Sequence, residues 1–126
     1  MEFIGRIDIE KYKVVAPNIR TDEVVITDER IQHIKERRGA AFYEEYSGYF
    51  REIVENPDYI FRDKQSCTAL ACKTINKDGV SINLAVRLAI ERDDPKYKNS
   101  IITAVKESKK RFAQRLRNNN PLYKRE

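Results

Sequence analysis

The chain has 126 residues, of which 40% are hydrophobic and 36% are charged, and its formal net charge is +5. This length corresponds to one domain, and such a chain can bury a core without disulfide or metal staples. The composition is too apolar for a disordered chain, and no apolar run approaches the ~20 residues of a transmembrane helix. We therefore expect a single domain over residues 1–126, with a cytoplasmic location as the default and no membrane partner.

The basic excess is confined to the last part of the chain. Residues 1–65 hold 11 Lys/Arg and 14 Asp/Glu, residues 66–95 hold four of each, and residues 96–126 hold ten Lys/Arg and two Asp/Glu. A concentrated basic segment is what a phosphate backbone attracts, although a solvated tail gives the same pattern.

The cysteine and histidine content argues against a metal site. Cys67 and Cys72 lie in a predicted strand, where we expect two free thiols rather than a disulfide. One histidine and two cysteines do not make a zinc-ligand pattern, so we expect neither a metal nor another cofactor.

The first part of the chain predicts extended segments followed by a helix. Residues 3–15 and 24–26 are rich in the β-branched side chains that favour strands. Thr27 and Asp28 then offer N-cap oxygens for a helix through about Arg38, and Gly39 is placed to end it.

The next segments predict a second helix and then a change to strand periodicity. Residues 41–55 place apolar side chains at helical spacing. Strands are predicted over residues 59–61, 67–75 and 80–90, and the last two are joined by a turn over residues 76–79.

Residues 80–90 alternate cleanly between large apolar and small or polar side chains. We therefore expect one face of the sheet to be buried and the other to be open and able to carry polar functional side chains. A strand over residues 100–105 then precedes a basic helix over residues 106–118, and residues 122–123 can add a last short strand. Helices followed by consecutive strands predict an α+β domain with the helices packed on one sheet face.

Four segments in this order resemble a known family. They are residues 25–34 (VITDERIQHI), 53–60 (IVENPDYI), 99–104 (NSIITA) and 122–124 (LYK). With them the chain is similar to the phage-associated nucleases of the barnase–EndoU–colicin–RelE superfamily. That resemblance implies a barnase- or RelE-like fold: two N-terminal helices packed on an antiparallel sheet of about four strands, followed by the basic helix. It also implies metal-independent cleavage of RNA at a polar sheet face.

His33 is the central catalytic candidate under this resemblance, because imidazole can accept or donate a proton near neutral pH. Arg30 and Arg37 share its helical stripe and would bind a phosphate. Spacing alone favours an ordinary surface histidine, and the resemblance favours the catalytic role. In the family the first helix often ends in a second histidine and a proline, whereas Arg38 and Gly39 stand here. His33 would therefore need a different partner.

Arg87 is the second catalytic candidate. It lies mid-strand between Ala85 and Ala89, which leave room for bidentate phosphate binding. An ordinary exposed arginine on an open sheet face explains the pattern equally well. Lys73, on the neighbouring strand, is a further substrate-binding candidate, although the register places it opposite Ser81 or Asn83 rather than Arg87.

The last long strand offers two hydroxyls. Ser100 and Thr103 are three residues apart, so they lie on opposite faces unless a bulge intervenes. Thr103 better fits the late-strand hydroxyl of the resembling family, which gives it a catalytic role, whereas ordinary strand propensity is the alternative. Ser100 is a substrate-binding candidate, as is Lys106, which is expected on the same face.

Two tyrosines and the basic helix complete the candidate RNA contacts. Tyr97 and Tyr123 lie next to basic residues and could stack on RNA bases. The lysines and arginines of residues 109–117 could bind the RNA phosphate backbone without sequence preference.

Two functions remain open from sequence. The first is a metal-independent endoribonuclease, toxin-like or phage-encoded, that cleaves transfer or ribosomal RNA by attack of the 2′-hydroxyl. The second is a non-catalytic domain that binds RNA or an acidic protein through its basic C-terminal segment. RNA is the expected partner, and a cognate immunity or antitoxin protein is a second candidate partner.

Overall fold

A computed structural model describes residues 1–75 and 79–126, and these residues form one seven-stranded mixed sheet with helices on both faces. The strand order is β1–β2–β6–β5–β4–β3–β7. The strands are β1 (Glu2–Arg6), β2 (Glu23–Ile26), β3 (Tyr59–Arg62), β4 (Thr68–Ile75), β5 (Val80–Arg87), β6 (Asn99–Glu107) and β7 (Tyr123–Lys124). The predicted turn over residues 76–79 lies outside the described residues except for Gly79.

The helices of the described residues are short. They are the single-turn α1 (Ile9–Tyr12), then α2 (Asp28–Arg38), α3 (Ala40–Tyr46), α4 (Phe50–Glu55) and the C-terminal α5 (Lys109–Asn118). No helix in this part of the chain combines the length and the apolar character needed to cross a membrane.

The predicted sheet of about four antiparallel strands is wrong, because the N-terminal segments join the sheet. Residues 3–15 do not stay extended: β1 ends at Arg6, and Asp8 caps α1 by accepting from the Glu10 amide at 3.0 Å. β1 pairs antiparallel with β2, and β2 pairs parallel with β6. At this parallel junction the buried Asn99 side chain donates to the Thr21 carbonyl and accepts from the Ala89 amide.

The predicted two N-terminal helices are also wrong in number. The second predicted helix is divided into α3 and α4 by a 3₁₀ turn over Ser47–Tyr49, where serine and glycine have low helix propensity. The first predicted helix is correct in its bounds, with Thr27 accepting from the Arg30 amide at 3.2 Å and Gly39 following at φ 99°.

The main core lies between the sheet and helices α1, α2 and α4, on what we call the helix face. Ile82, Leu84 and Val86 of β5 are fully buried there against Ile34 of α2 and Phe50 of α4. Burial of side chains of this size stabilises a fold by about 1.5–3 kcal/mol each.

Helix α5 covers part of the opposite face, which we call the cleft face. Phe112 packs there with Phe61 of β3 and Cys72 of β4. The two cysteines are free, as expected. Because α5 covers this end of the face, Ser81 and Asn83 are buried, with 2% and 1% of their surface exposed, and the expectation of a wholly open polar face is wrong.

Candidate active site at the open end of the sheet face

The part of the cleft face that α5 leaves uncovered contains a cleft of about 620 Å³. Four regions of the chain supply its walls: the adjoining strands, the start of α2, a loop over residues 93–98 that precedes β6, and the connection between β3 and β4. The lining includes Arg87, Ser100 and Ile102 from the strands, Thr27, Glu29 and Arg30 from the start of α2, Lys96, Tyr97 and Lys98 from the loop, and Gln65.

Strand register explains why hydroxyls and a guanidinium share this face. Arg87 of β5 is directly opposite Ser100 of β6, and Ala85 is directly opposite Thr103. The register shifts between these rungs, so Ile102 is an extra residue in β6, a β-bulge. The bulge changes the alternation by one residue, so Ser100 and Thr103 lie on the same face.

Arg87 is held at the edge of the cleft by the loop. Its Nη2 and Nη1 atoms lie 3.1 and 3.2 Å from the two carboxylate oxygens of Asp93, and Nη1 also donates to the Leu88 carbonyl. The Ile90 amide and the Arg87 guanidinium, with Arg20 nearby, lower the pKa of Asp93 despite the opposing effect of burial. Asp93 therefore presents a fixed negative charge that orients Arg87.

The loop adds further positive charge and an aromatic ring. Lys96 and Tyr97 are exposed, and Tyr97 has 53% of its surface open to solvent. Lys98 is paired with Glu23 of β2. Among the described residues, the ion pairs involve Arg87 and Lys98 but neither Arg30 nor Lys96. Arg30 and Lys96 are therefore the cleft cations with no carboxylate partner in the part of the chain that the structure describes.

Helix α2 contributes less to the cleft than its sequence suggested. Arg30, in the first turn after the Thr27 cap, lines the cleft. His33, three residues further along, is half-buried, and Arg37 is exposed, but the described residues that line the cleft include neither. A helix rises 1.5 Å per residue, so His33 lies about 5 Å along the axis from Arg30.

Arg38, which stands where the resembling family often has a second histidine, joins α2 to the sheet. Its Nε donates to the Ala104 carbonyl of β6 at 3.0 Å. This bond places the C-terminal end of α2 beside the strand position that follows Thr103.

Three other candidate substrate-binding residues lie away from the cleft. Lys73 is opposite Ile82 rather than Ser81 or Asn83, so it projects from the helix face, where its Nζ contacts the Asn56 carbonyl at 3.0 Å. Lys106 is the β6 residue opposite Ile82, and its ammonium lies over the Tyr46 ring, so it also projects from the helix face. The expectation that it shares the face of Ser100 is wrong, because the bulge changes the alternation between the two residues.

Tyr123 is also remote from the cleft. It lies in β7 opposite Ile60, on the helix face, with the Lys11 ammonium 5.6 Å from its ring centroid. The antiparallel β3–β7 pair is at the far edge of the sheet from β6, so this ring and the cleft are separated by several strands.

Asp93 and Arg20 were not predicted as site residues from the sequence, and the bulge in β6 was only an open alternative. An acid six residues after a mid-strand arginine is within reach of a strand-to-loop ion pair, which is a signal that could have indicated Asp93. Arg20 lies outside the predicted helices and strands, so no local pattern indicated its role. The described residues contain no group of three or more His, Cys, Asp or Glu side chains placed to hold a metal ion.

Comparison with protein families identifies the class of the chain. Residues 2–124 match the family described as phage-Barnase-EndoU-ColicinE5/D-RelE like nuclease2. The match covers nearly the whole chain, so the chain belongs to this family, which is a nuclease family of the barnase–EndoU–colicin–RelE type. No curated protein and no solved structure matched the chain.

Proposed function

We propose that the chain is an endoribonuclease that cleaves RNA without a metal ion, with the scissile phosphate bound in the cleft. The supporting observation is that Arg87, Ser100 and Arg30, from three separate elements, line one cleft on an open sheet face. Guanidinium groups bind phosphate oxygens bidentately, and a hydroxyl can donate a further hydrogen bond to the same group.

The proposed reaction needs no external nucleophile. The 2′-oxygen of the substrate attacks phosphorus, the bond from phosphorus to the 5′-oxygen breaks, and the products end in a 2′,3′-cyclic phosphate and a 5′-hydroxyl. One proton leaves the 2′-oxygen and one reaches the 5′-oxygen. The chain has one histidine, His33, which lies one turn of α2 beyond Arg30 and outside the lining of the cleft. In this proposal the RNA therefore extends along α2 past Arg30, His33 transfers one of these protons and water transfers the other.

The remaining candidates have distinct roles in the proposal. Arg87 and Arg30 stabilise the charge that develops on the phosphorane, Ser100 binds one of its oxygens, and Tyr97 stacks on an adjacent base. Thr103 lies on the same face outside the lining of the cleft, and in this proposal its hydroxyl binds a phosphate oxygen when RNA covers that face. A positively charged cleft of this kind also suits an acidic immunity or antitoxin protein.

The test incubates the whole protein with transfer and ribosomal RNA in excess chelator and identifies the 3′ ends of any fragments. We expect cyclic phosphate ends from the wild type, loss of cleavage with RNA binding retained in His33→Ala, and at least a large reduction in Arg87→Ala. Arg51→Ala, on the exposed side of α4, is the charge-matched control. Intact RNA with the wild type, or full activity in His33→Ala and Arg87→Ala, would contradict the proposal. Cleavage that requires added divalent metal would contradict only its metal-independent part.

A non-catalytic RNA-binding function is the second candidate, and the surface of α5 favours it. Lys109, Lys110, Arg111 and Arg117 are exposed there, whereas Arg115 is bound to Glu107. Truncation would not test this surface, because Phe112 is part of the core. We expect replacement of Lys109, Lys110 and Arg111 with glutamine to keep the fold, because all three side chains are exposed. Under this alternative no cleavage occurs at any protein concentration, and the triple variant loses RNA binding and most of its salt dependence.

A further inference from the structure

We propose that Arg20 is a positioning residue: its guanidinium holds the loop over residues 93–98 in the shape that places Lys96, Tyr97 and Lys98 along the cleft. This inference rests on the proposed function, because it assigns Arg20 a role in the binding of RNA by that cleft.

The guanidinium of Arg20 binds three backbone carbonyls of this one loop. Its Nη1 donates to the Asp93 carbonyl at 2.8 Å, and its Nη2 donates to the carbonyls of Asp94 at 2.7 Å and Tyr97 at 2.9 Å. These acceptors lie at both ends of a five-residue turn, so the contacts close the turn. Backbone carbonyls that converge on one cation are strongly hydrogen-bonded, because a charged donor strengthens each bond.

Arg20 is itself fixed to the segment that directly follows β5. Its amide donates to the Ala89 carbonyl at 2.9 Å, and the preceding residue, Ile19, forms an antiparallel bridge with Ile90. On the other side, the buried side chain of Asn99 donates to the Thr21 carbonyl at 2.7 Å. Because residues 19–21 are held in place, the Arg20 guanidinium can hold the loop over residues 93–98 in a fixed position.

The other contacts of the loop are either local or confined to one of its ends. Within it, the Lys96 amide donates to Asp94 Oδ1 at 2.9 Å and the Tyr97 amide donates to the Asp94 carbonyl at 2.8 Å. These are local bonds that can form in several orientations of the whole turn. The pair between Asp93 and Arg87 and the hydrogen bonds between Asp93 and Ile90 hold the start of the loop, and the pair between Lys98 and Glu23 holds its end. Arg20 binds carbonyls near both ends.

Arginine is required by this geometry. The guanidinium presents donors in a planar fork, whereas a lysine ammonium is a point charge that cannot reach three separated carbonyls along fixed directions. We therefore expect Arg20→Lys to retain the positive charge but not the position of the loop.

The test compares Arg20→Ala and Arg20→Lys with a matched control, Arg62→Ala. Arg62 also binds backbone carbonyls, those of Val15 at 2.8 Å and Val14 at 3.4 Å, but it does not line the cleft. Three measurements are made: cleavage kinetics, binding of a 2′-O-methyl RNA oligonucleotide that cannot be cleaved, and amide hydrogen exchange of residues 93–97.

We expect both Arg20 variants to raise the KM and the dissociation constant of the oligonucleotide by about tenfold, with a smaller change in kcat. The Lys96 and Tyr97 amides should exchange faster, and added methylguanidinium should partly restore binding to Arg20→Ala. Arg62→Ala should change none of these, although it lowers thermal stability.

The outcomes separate this inference from the proposed function. Unchanged loop exchange and unchanged oligonucleotide binding in Arg20→Ala, with an active wild type, would overturn the positioning role alone. If Arg20→Ala and Arg62→Ala both weaken oligonucleotide binding, and by the same factor, Arg20 acts only through general stability. If the wild type neither binds nor cleaves RNA, both proposals fail, and the exchange data then report only whether Arg20 holds the loop.

Discussion

The two ends of the cleft face each carry an arginine–carboxylate pair, and the pairs differ in what covers them. Under α5, Arg115 binds Glu107 through Nε and Nη2, both at 2.9 Å. At the cleft, Arg87 binds Asp93 at 3.1 and 3.2 Å. Both arginine side chains are 29% exposed, so exposure alone does not distinguish a structural pair from one available to a ligand.

The surroundings of the two pairs distinguish them. The pair under α5 is completed by Asn83, whose amide donates to Glu107 at 2.6 Å, and Arg115 also lies 5.9 Å from the Phe61 ring centroid. The pair at the cleft is held by a loop rather than a helix. The comparison indicates that Arg115 is committed to the fold, and we expect Arg87 to be the arginine that exchanges its carboxylate for a phosphate.

At the end of the cleft face that α5 covers, we expect the largest loss of stability when the hydrophobic contact of Phe112 is removed. Phe112 is 8% exposed and its ring centroid lies 5.5 Å from that of Tyr59. We expect Phe112→Ala to lower the free energy of unfolding by about 3 kcal/mol, measured by urea denaturation. Phe3→Ala, at a side chain that is 53% exposed, should change it by less than about 0.5 kcal/mol. Equal effects of the two variants would show that α5 does not anchor this end.

Glu107→Gln tests the committed pair directly. The substitution keeps the shape of the side chain but leaves the charge of Arg115 without its carboxylate. We expect a loss of about 2 kcal/mol in unfolding free energy, because a partly buried charge loses its partner. A double-mutant cycle with Arg115→Met measures the coupling, and a coupling near zero would contradict the assignment.

Acid conditions should reveal the same pair. The Arg115 hydrogen bond, supported by Asn83, lowers the pKa of Glu107 despite burial. The carboxylate therefore stabilises the fold above its unfolded pKa of about 4.3, and this contribution is lost as pH falls through the lower folded value. Unfolding measured between pH 6 and pH 3 should show a shallower acid dependence in Glu107→Gln than in the wild type. An unchanged slope would mean that other carboxylates account for all of it.

Some acid dependence should remain in that variant because of Asp58. Burial acts to raise the pKa of Asp58, but the Thr74 amide, Arg125 and Lys73 together lower it. This third cluster joins β7 to β3, away from both ends of the cleft face.

Asp93→Asn should have the smallest effect on stability and the opposite effect on ligand binding. Asparagine retains an oxygen for the Ile90 amide, so we expect less than about 1 kcal/mol of destabilisation. Because Arg87 is then free of its carboxylate while Arg20 still binds the backbone of the loop, binding of the 2′-O-methyl oligonucleotide should tighten about threefold. Asp22→Asn, which releases the surface pair with Arg6, is the control. Weaker binding in Asp93→Asn would show that orientation of Arg87 matters more than its freedom.

Local patterns predicted the elements of the fold better than their assembly. The Thr27 cap, the first helix and the alternation of β5 were correct, because each depends on neighbouring residues. The seven-stranded mixed sheet was not predicted, because the pairing of β2 with β6 joins residues 24–25 to residues 99–100. The carboxamide of Asn99 that holds this junction gives no periodic signal.

The candidate site shows the same division. Arg87 and Ser100 were recognised from their strands, and the register places them opposite each other. Lys106 and Tyr123 were placed near them on the basis of charge and sequence position, whereas sheet order and face separate them from the cleft. The role of Arg20 depends on contacts with residues 73 to 77 positions away, which no local pattern encodes.

The bulge in β6 makes the composition of the site depend on the position of an extra residue in a strand as well as on the identity of its residues. Without a bulge, the three-residue separation of Ser100 and Thr103 would put the two hydroxyls on opposite faces of the sheet. A deletion of Ile102 would remove the bulge and leave the hydroxyls two residues apart, so both would still lie on the cleft face and the flanking residues would keep their partners in β5. The bulge thus lets β6 carry one residue more than regular pairing with β5 allows, and a shift of the extra residue to a position outside residues 101 and 102 would separate the two hydroxyls.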